Sequence, residues 1–506
     1  MINDSKNSSL AHLLDPSPEQ IRSWANAAVE LMADYLATIR NRPVYPHTSS
    51  RQIREQLDSS LPEEPITFDE LLHTFRNALI ELSRHNGHPR MFGYVQAPGT
   101  AIAALADLLA STLNANLTVW RSAPAAVGIE RLTIDWIKQI IGFNRNAAGL
   151  FVSGGSMANM AALAAARRAK APAKIQNKGA QSCSQTLRVY ASEETHLSVA
   201  KAAALLGIGG DNVRLISVDE RYKIRLSELV AAIEEDRAVG YLPICIVANA
   251  GTVATGAFDP LPQIREIARR FDLWLHVDGA YGGFAALAAS ARPLFASIGQ
   301  ADSLALDPHK WLYLPVDCGC ILYRDPEIAR ATFAHEAEYT RVIGQEADEA
   351  FAFWDYGPEL SRRFRALKVW MLLKGIGLQA LSEAIEKDLA CARHFERLVQ
   401  TSEDFEMLAP VELSIFCFRH LPAQLKHSLT AATPSERETI EEQLDAHNER
   451  LLLALQRDGS SYLSNARLRG RFSLRGCVMN YRTTLRDMEI LLDDLRRIAA
   501  SLAVAA

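Results

Sequence analysis

The sequence predicts an α/β protein built around a mostly parallel sheet. From about residue 150 onwards, short apolar segments of strand length alternate with segments of helix length. Several of the apolar segments end directly in small or polar residues. This alternation is typical of a parallel sheet covered by helices on both faces, and ligands on such sheets bind beyond the carboxyl ends of the strands.

The predicted strands cover residues 150–152, 187–191, 214–218, 244–249, 273–277, 303–306 and 320–323. Helices are predicted between most of them, at residues 157–168, 198–206, 226–235 and 262–271. Further along, the sequence predicts helices at 378–398, 435–456 and 485–502 and strands near 414–419 and 476–480. We interpret this last region as a small α+β domain.

The chain before the sheet is predicted to be helical. Apolar residues recur at helical spacing over 18–39, and Ser17 with Pro18 provides a helix start signal. Further helices are predicted at 52–57, 68–84, 100–116 and 124–142. The first three have one apolar face each and no sheet to cover, so we expect this arm to pack on another part of the protein. A helical hairpin that packs on its own chain is the alternative.

Length and composition indicate a globular protein of two or three domains. The chain has 506 residues, more than one hydrophobic core usually serves. A formal net charge of -5 gives no reason to expect nucleic acid or a membrane surface as a partner. The N-terminus lacks the pattern of a signal peptide, and the alanine-rich runs are too short to span a bilayer. We therefore expect a cytoplasmic protein. Cys318 and Cys320 lack further ligands at metal-binding spacing, and no metal site is predicted.

A glycine-rich loop follows the first predicted strand. Gly154, Gly155 and Ser156 stand between that strand and a helix. Backbone amides at the helix start, together with the Ser156 hydroxyl, can hold a phosphate dianion. The same residues also suit a plain turn and helix cap, so the loop is weak evidence by itself.

Two later strands deliver a carboxylate and a lysine at their ends. Asp278 closes the strand over 273–277, and the strand over 303–306 is followed by Asp307, Pro308, His309 and Lys310. A partly desolvated lysine amine can form a Schiff base, whereas most lysines are solvated surface groups. The pairing with Asp278 favours the first interpretation. Pyridoxal 5'-phosphate needs a lysine for its aldehyde and a carboxylate that keeps its pyridinium nitrogen protonated.

The run from Asp307 to Trp311, downstream of His276 to Tyr281, resembles the pyridoxal-phosphate-dependent group II amino-acid decarboxylases, and among them most the aromatic-L-amino-acid decarboxylases. Landmarks of the resemblance extend from about His88 to Trp370. It implies the type I fold of PLP-dependent transferases. It also implies a helical arm (1–86) that packs on the partner of a homodimer, a large domain (87–376), a small α+β domain (377–506) and active sites near the subunit interface.

The resemblance also implies roles for individual residues. His196 would stack on the cofactor ring, and Tyr339, on a flexible loop within 330–351, would protonate the carbon that has lost CO2. Tyr94 and Val95 would face the substrate ring, although relatives more often carry a second aromatic where Val95 stands. Ser361 stands where plant relatives carry Ser for phenolic substrates and Gly for indolic ones, and it therefore favours a substrate with a phenolic ring. The full set of cofactor-binding residues is predicted as Lys310, Asp278, His196, Gly155, Ser156, Thr252, Ala280, His309 and Asp307.

The sequence therefore predicts decarboxylation of an aromatic L-amino acid to its amine. A glutamate- or diaminobutyrate-type decarboxylase stays open because Arg90 and Arg121 lie near the substrate loop in sequence. An aldehyde synthase on the same scaffold is disfavoured by Tyr339. A regulator whose catalysis has lapsed is disfavoured because Lys310, Asp278, His196 and Tyr339 are all present.

Overall fold

The computed structural model describes residues 13–57, 60–335, 349 and 351–504 of the chain. Its strands are β1 (Ala148–Val152), β2 (Leu187–Ser192), β3 (Val213–Ile216), β4 (Leu242–Asn249), β5 (Trp274–Gly279), β6 (Ser303–Leu306), β7 (Gly319–Tyr323), β8 (Phe405–Met407), β9 (Ile415–His420), β10 (Ser464–Leu468) and β11 (Arg471–Cys477). They form a seven-stranded sheet of order β1-β7-β6-β5-β4-β2-β3 and a four-stranded sheet of order β10-β11-β9-β8.

Helices precede the larger sheet in the chain, alternate with most of its strands and flank the strands of the smaller sheet. They are α1 (Pro18–Thr38), α2 (Ser50–Leu57), α3 (Phe68–Thr74), α4 (Ala101–Leu113), α5 (Pro124–Ile141), α6 (Gly155–Lys170), α7 (Ile175–Lys178), α8 (Ser198–Leu205), α9 (Leu226–Ala238), α10 (Leu261–Arg270), α11 (Pro308–Trp311), α12 (Pro326–Phe333), α13 (Ala366–Gly375), α14 (Gly377–Gln400), α15 (Ala423–Ala431), α16 (Pro434–Asp458) and α17 (Leu485–Val504). In the part of the chain that the structure describes, no helix is both long and apolar enough to cross a membrane.

The larger sheet is mostly parallel, which confirms the predicted α/β class. Neighbouring strands from β3 to β6 run parallel, and only β7 is antiparallel to both of its neighbours, β1 and β6. Strand β4 reads as a nearly continuous apolar run and is buried along almost its whole length. Such a run is typical of a parallel strand covered by helices on both faces.

The register of the parallel strands brings their carboxyl ends to one edge. Asn249 at the end of β4 pairs with Asp278, and Gly279 at the end of β5 pairs with Leu306 at the end of β6. Asp307 and α11 follow Leu306 directly. The residues that the sequence places after these strands therefore meet at one place.

Helix α14 connects the two halves of the chain by packing on both cores. Its Leu381, Ile385 and Leu389 belong to the core around the larger sheet. One turn later, Ala392 and Phe395 belong to the core of the four-stranded sheet. The domain boundaries proposed from the sequence stay predictions.

The structure differs from the predicted elements in a few places. The helix predicted over 68–84 is α3 followed by a π-helical turn, Phe75–Ile80. The segment predicted as irregular from residue 330 still contains the last residues of α12. The start of this helix is capped by Asp325, whose side chain accepts from Glu327 N at 2.9 Å. Strands β8 and β10 were not predicted, because their stability comes from pairing with β9 and β11 rather than from a local pattern.

Candidate active site

A cavity of about 360 Å³ opens at the carboxyl edge of the larger sheet. Residues predicted for the site line it from five separate stretches of the chain. They are Val95, Gly155, Ser156, His196, Asp278, Ala280, Asp307, His309 and Lys310. The structure thus brings these residues together around one cavity, within reach of one small molecule.

Asp278 reaches the cavity from the end of β5 with both carboxylate oxygens already oriented. Its Oδ1 accepts from the backbone N–H of Ala280 at 3.1 Å, and its Oδ2 accepts from Asn159 Nδ2 at 2.8 Å. The side chain is almost fully buried, with 6% of the residue exposed. A buried carboxylate held by two neutral donors keeps its negative charge available to a cationic ligand atom.

Lys310 lies on α11 and pairs with Asp307. Its Nζ is 2.9 Å from Asp307 Oδ2, and His309 Nε2 is 3.6 Å from the same oxygen. The other oxygen of this carboxylate, Oδ1, is buried without a hydrogen-bond partner among the described residues. Burial lowers the pKa of His309, although the Asp307 carboxylate acts to raise it.

The glycine-rich loop leaves a helix start open towards the cavity. Helix α6 begins at Gly155, and no side chain caps its first turn in the described structure. A Cβ atom on Gly155 would lie 2.7 Å from Ala280 Cβ and 3.1 Å from Asp307 Oδ2, so only glycine fits. The uncapped amides of such a helix start form a suitable cradle for a phosphate group.

His196 lies just before α8 and is held by the start of that helix. Its Nδ1 is 2.7 Å from Ser198 Oγ and 3.3 Å from Ser198 N. Burial lowers its pKa; Asp278 acts to raise the pKa and Lys310 to lower it. The imidazole is therefore neutral near pH 7, which suits a ring that faces a flat ligand.

Three predicted residues do not line the cavity, and one lies outside the described residues. Tyr94 is 48% exposed, and its ring lies against Tyr462 and under the Arg84 guanidinium. Thr252 is buried, and its hydroxyl accepts from Ala257 N at 3.1 Å within its own loop. Ser361 is exposed. Tyr339 belongs to the residues that the structure does not describe. The roles given to all four stay predictions.

Ser361 is nevertheless tied to the strand that precedes the glycine loop. The neighbouring Arg362 is fully buried and forms an ion pair with Glu130. Arg362 also donates to the carbonyl of Phe151 in β1 at 2.9 Å, and Glu130 accepts from Phe151 N at 3.0 Å. The segment around Ser361 is thereby fixed relative to β1.

Sequence patterns did not single out several polar residues of the cavity and its wall. Asn159 and Asn249 line the cavity, and His276 packs behind Asn159. Spacing could have indicated two of them. Asn159 follows Gly155 by one helical turn, and His276 precedes Asp278 by two residues on the same face of its strand.

The groups of this cavity fit pyridoxal 5'-phosphate. An uncapped helix start with no room for a side chain can take the phosphate, and Lys310 supplies an amine. Asp278 supplies a carboxylate for a protonated ring nitrogen. Asp307 Oδ1 is buried and has no hydrogen-bond partner among the described residues, so it can accept a hydrogen bond from a ligand. No group of three His, Cys, Asp or Glu side chains suited to a metal ion occurs among the described residues.

Comparison with known proteins gives concordant results. The model of the pyridoxal-dependent decarboxylase conserved domain matches residues 50–421. An aromatic-L-amino-acid decarboxylase from Bacillus atrophaeus is 36% identical over 492 residues, which cover 97% of this chain and 98% of the relative. A phenylacetaldehyde synthase from Petunia hybrida is 29% identical and covers 92% of this chain and 91% of its own. The crystal structure of Oryza sativa TDC with PLP and tryptamine superposes with a TM-score of 0.87 at 27% identity, over 96% of this chain and 99% of that one.

Proposed function

The chain belongs to the pyridoxal-dependent decarboxylase family, and from this premise we propose that it converts an aromatic L-amino acid to the corresponding amine and CO2. It is a carboxy-lyase that depends on pyridoxal 5'-phosphate, with the type I fold of such enzymes. The candidate substrates are tyrosine, dopa, phenylalanine and tryptophan.

One observation carries the proposal: Lys310, Asp278 and the open start of α6 line a single cavity. Each provides a different chemical group, and the three come from different parts of the larger sheet. An amine alone or a glycine loop alone would be weak evidence. An amine, a carboxylate and an anion cradle around one cavity match the aldehyde, the protonated ring nitrogen and the phosphate of one cofactor.

The cofactor, when bound, supplies a covalent attachment for the substrate amine and a ring that accepts the electrons left by CO2. Lys310 would hold the cofactor aldehyde and release it to the substrate amine. Asp278 would keep the ring nitrogen protonated, because a buried carboxylate favours an adjacent cation. The neutral His196 imidazole would cover the ring face. Tyr339 would return a proton to the substrate Cα.

The cavity lining argues against an acidic substrate. Arg90 does not line the cavity, since its Nε donates to the carbonyl of Ser460 at 2.7 Å and its NH1 lies 3.7 Å from Asp487. Arg121 does not line it either. Among the described lining residues, the cationic group is Lys310, which the cofactor would occupy, and the remaining basic side chains are the imidazoles of His196 and His309.

A second candidate function is the oxygen-dependent conversion of the same substrates to aldehydes. The similarity to a phenylacetaldehyde synthase favours this candidate. Tyr339 favours the amine, because a phenol placed to protonate Cα would prevent oxidation of that carbon. Replacement of Tyr339 by Phe would then shift the product from amine towards aldehyde.

We also propose that the enzyme is a homodimer. Helices α1 to α4 expose large apolar side chains, including Ile21 (51%), Leu71 (50%) and Leu113 (65%). Exposed apolar surface of this extent is typical of a protein interface. Sedimentation analysis should give about twice the mass of one chain, and a stable monomer at micromolar concentration would contradict the proposal. The cytoplasmic location stays a prediction from the sequence.

The test of function needs purified protein, added cofactor and a panel of amino acids. We expect an absorption band of the bound cofactor that borohydride bleaches, and CO2 release in equal amounts with amine from at least one aromatic amino acid. Glutamate and 2,4-diaminobutyrate serve as comparison substrates, and assays of hydrogen peroxide and aldehyde distinguish the second candidate. Cofactor binding without CO2 release from any of these amino acids would overturn the proposal.

A further inference from the structure

Asn159 occupies a central place in the wall of the candidate active site. The residue is 1% exposed and its amide group makes three hydrogen bonds. Its Nδ2 lies 2.8 Å from Asp278 Oδ2 and 2.9 Å from Ser198 Oγ, and its Oδ1 lies 2.9 Å from His276 Nε2. The amide of Asn159 is thus hydrogen-bonded both to the Asp278 carboxylate and to Ser198, at the helix start that holds His196.

The Asp278 carboxylate fixes the orientation of this amide. An ionised carboxylate can only accept, so the Asn159 NH2 group must face Asp278 and the Asn159 oxygen must face His276. His276 Nε2 therefore carries a proton. Burial lowers the pKa of His276 to about 4, so the ring is neutral and its Nδ1 is an acceptor.

The chain of hydrogen bonds continues behind His276 to Ser303. Ser303 Oγ lies 2.9 Å from His276 Nδ1 and donates to it. The same hydroxyl accepts from Trp274 Nε1 at 2.8 Å. The Ser303 carbonyl also lies 3.3 Å from His276 Nδ1, but the closer hydroxyl is the partner that an acceptor nitrogen can use.

The other branch fixes the proton of His196. The Ser198 hydroxyl accepts from Asn159 and is left with its own proton, which it donates to His196 Nδ1 at 2.7 Å. The backbone N–H of Ser198 also points at Nδ1, at 3.3 Å. A nitrogen that two donors approach carries no proton, so the neutral His196 ring carries its proton on Nε2.

We propose that Asn159, supported by His276, is a positioning residue that orients the Asp278 carboxylate and sets the Nε2–H tautomer of His196 through Ser198. The proposal rests on the proposed function, in which Asp278 and His196 contact the cofactor. Both groups are oriented by neutral donors. A cationic donor would compete with the cofactor ring nitrogen for the charge of Asp278, whereas an amide leaves that charge in place.

The first test is Asn159→Ala, with Asn448→Ala as a matched control. Asn448 is fully buried and also makes three hydrogen bonds, with His420 N, His420 O and Leu444 O, but it lies on α16 away from the cavity. Both variants should lose thermal stability. Asn159→Ala should also weaken binding of pyridoxal 5'-phosphate by about 10- to 100-fold, as expected for loss of a hydrogen bond to a charged group. Asn448→Ala should leave the cofactor Kd within about 3-fold of the original protein.

The second test observes the His196 tautomer directly in protein without cofactor. Ring-nitrogen NMR of histidine-labelled protein should show an unprotonated Nδ1 and a protonated Nε2, with His196→Gln identifying the signal. Ser198→Ala should shift this signal or mix the tautomers, because the hydroxyl that donates to Nδ1 is removed.

The outcomes separate the inference from the proposed function. If the unaltered protein binds no cofactor, the proposed function fails, while the NMR result still decides the tautomer. If the protein binds cofactor and Asn159→Ala binds it as tightly as Asn448→Ala does, the inference is overturned. A protonated Nδ1 on His196 would overturn it as well.

Discussion

The carboxyl edge of the seven-stranded sheet and the interior of the four-stranded sheet are both buried, but they bury different chemistry. At the first, Asp278, His276 and Asn159 are each at most 6% exposed and every one is held by hydrogen bonds. At the second, Phe395 and Phe416 pack with ring centroids 4.4 Å apart, and Phe418 lies 4.9 Å from Phe395. Equal burial thus serves reactivity in one region and packing in the other.

The difference predicts two classes of variant. Changes at the polar edge should reduce activity strongly, because these groups orient or contact the cofactor in the proposed function, and should leave most of the fold intact. Changes in the aromatic core should reduce the free energy of unfolding and leave the chemistry of the folded fraction unaltered. The following experiments test this contrast in order of expected effect.

The largest effect is expected for Lys310→Ala. Without its amine the site cannot bind the cofactor aldehyde covalently, so kcat should fall by about 10⁴-fold or more. Steady-state CO2 release measures it. Lys170→Ala is the control, because Lys170 forms its ion pair with Asp272 at 2.6 Å on the surface, away from the cavity. Substantial turnover by Lys310→Ala would contradict the role of Lys310 in binding the cofactor.

Phe418→Ala tests the aromatic core. The fully buried ring contacts Phe395, Phe405 and Phe416, and its removal should lower the free energy of unfolding by about 3–5 kcal/mol. Urea unfolding measures the loss. The cofactor spectrum and kcat of the folded enzyme should stay within about 2-fold. A change in the spectrum at unaltered stability would show that the smaller sheet acts on the active site.

Asp388 lies on α14, between the two cores, and is expected to make the free energy of unfolding depend on pH. Burial raises its pKa to about 7, while the hydrogen bond from Tyr313 at 2.8 Å opposes the rise. Between about pH 4 and pH 7 the folded protein therefore binds a proton that the unfolded chain releases, so this group makes stability fall as pH rises.

Asp388→Asn should remove that fall. The variant cannot ionise, and relative to the unaltered protein it should gain about 1.4 kcal/mol per pH unit inside the window, up to roughly 3 kcal/mol between pH 5 and pH 8. Denaturant unfolding at several pH values measures the difference. If the difference between the two proteins is the same at pH 5 and pH 8, Asp388 does not titrate as described.

The smallest effect is expected at an exposed helix end. Thr433 and Glu436 form a capping box at the start of α16. Thr433→Ala should lower the free energy of unfolding by about 1 kcal/mol with no effect on activity, whereas Thr433→Ser should retain the cap and most of the stability. Equal stability of Ala and Ser variants would show that the cap contributes nothing.

How far the sequence predicts the site depends on where each contact originates. Asp278 and Lys310 could be placed because each follows an apolar strand, and strand ends of a parallel sheet share an edge. Asn159 is harder to identify, because a helical asparagine looks the same in sequence whether it faces solvent or a carboxylate, and only its spacing of one helical turn from Gly155 indicates the cavity. The direction of the Tyr94 ring is set by Tyr462, which lies far away in the chain. Local patterns cannot encode such a contact.

Strand β7 acts as a spacer of fixed width. It separates β1, which leads into the phosphate cradle, from β6, which leads into Lys310, and Gly319 at its beginning lies so close to Gly154 that a Cβ there would be 2.4 Å from the Gly154 Cα. Two strand spacings amount to about 10 Å. The backbone itself therefore fixes where the phosphate cradle and Lys310 lie relative to each other. An aldehyde without a phosphate engages only one of them.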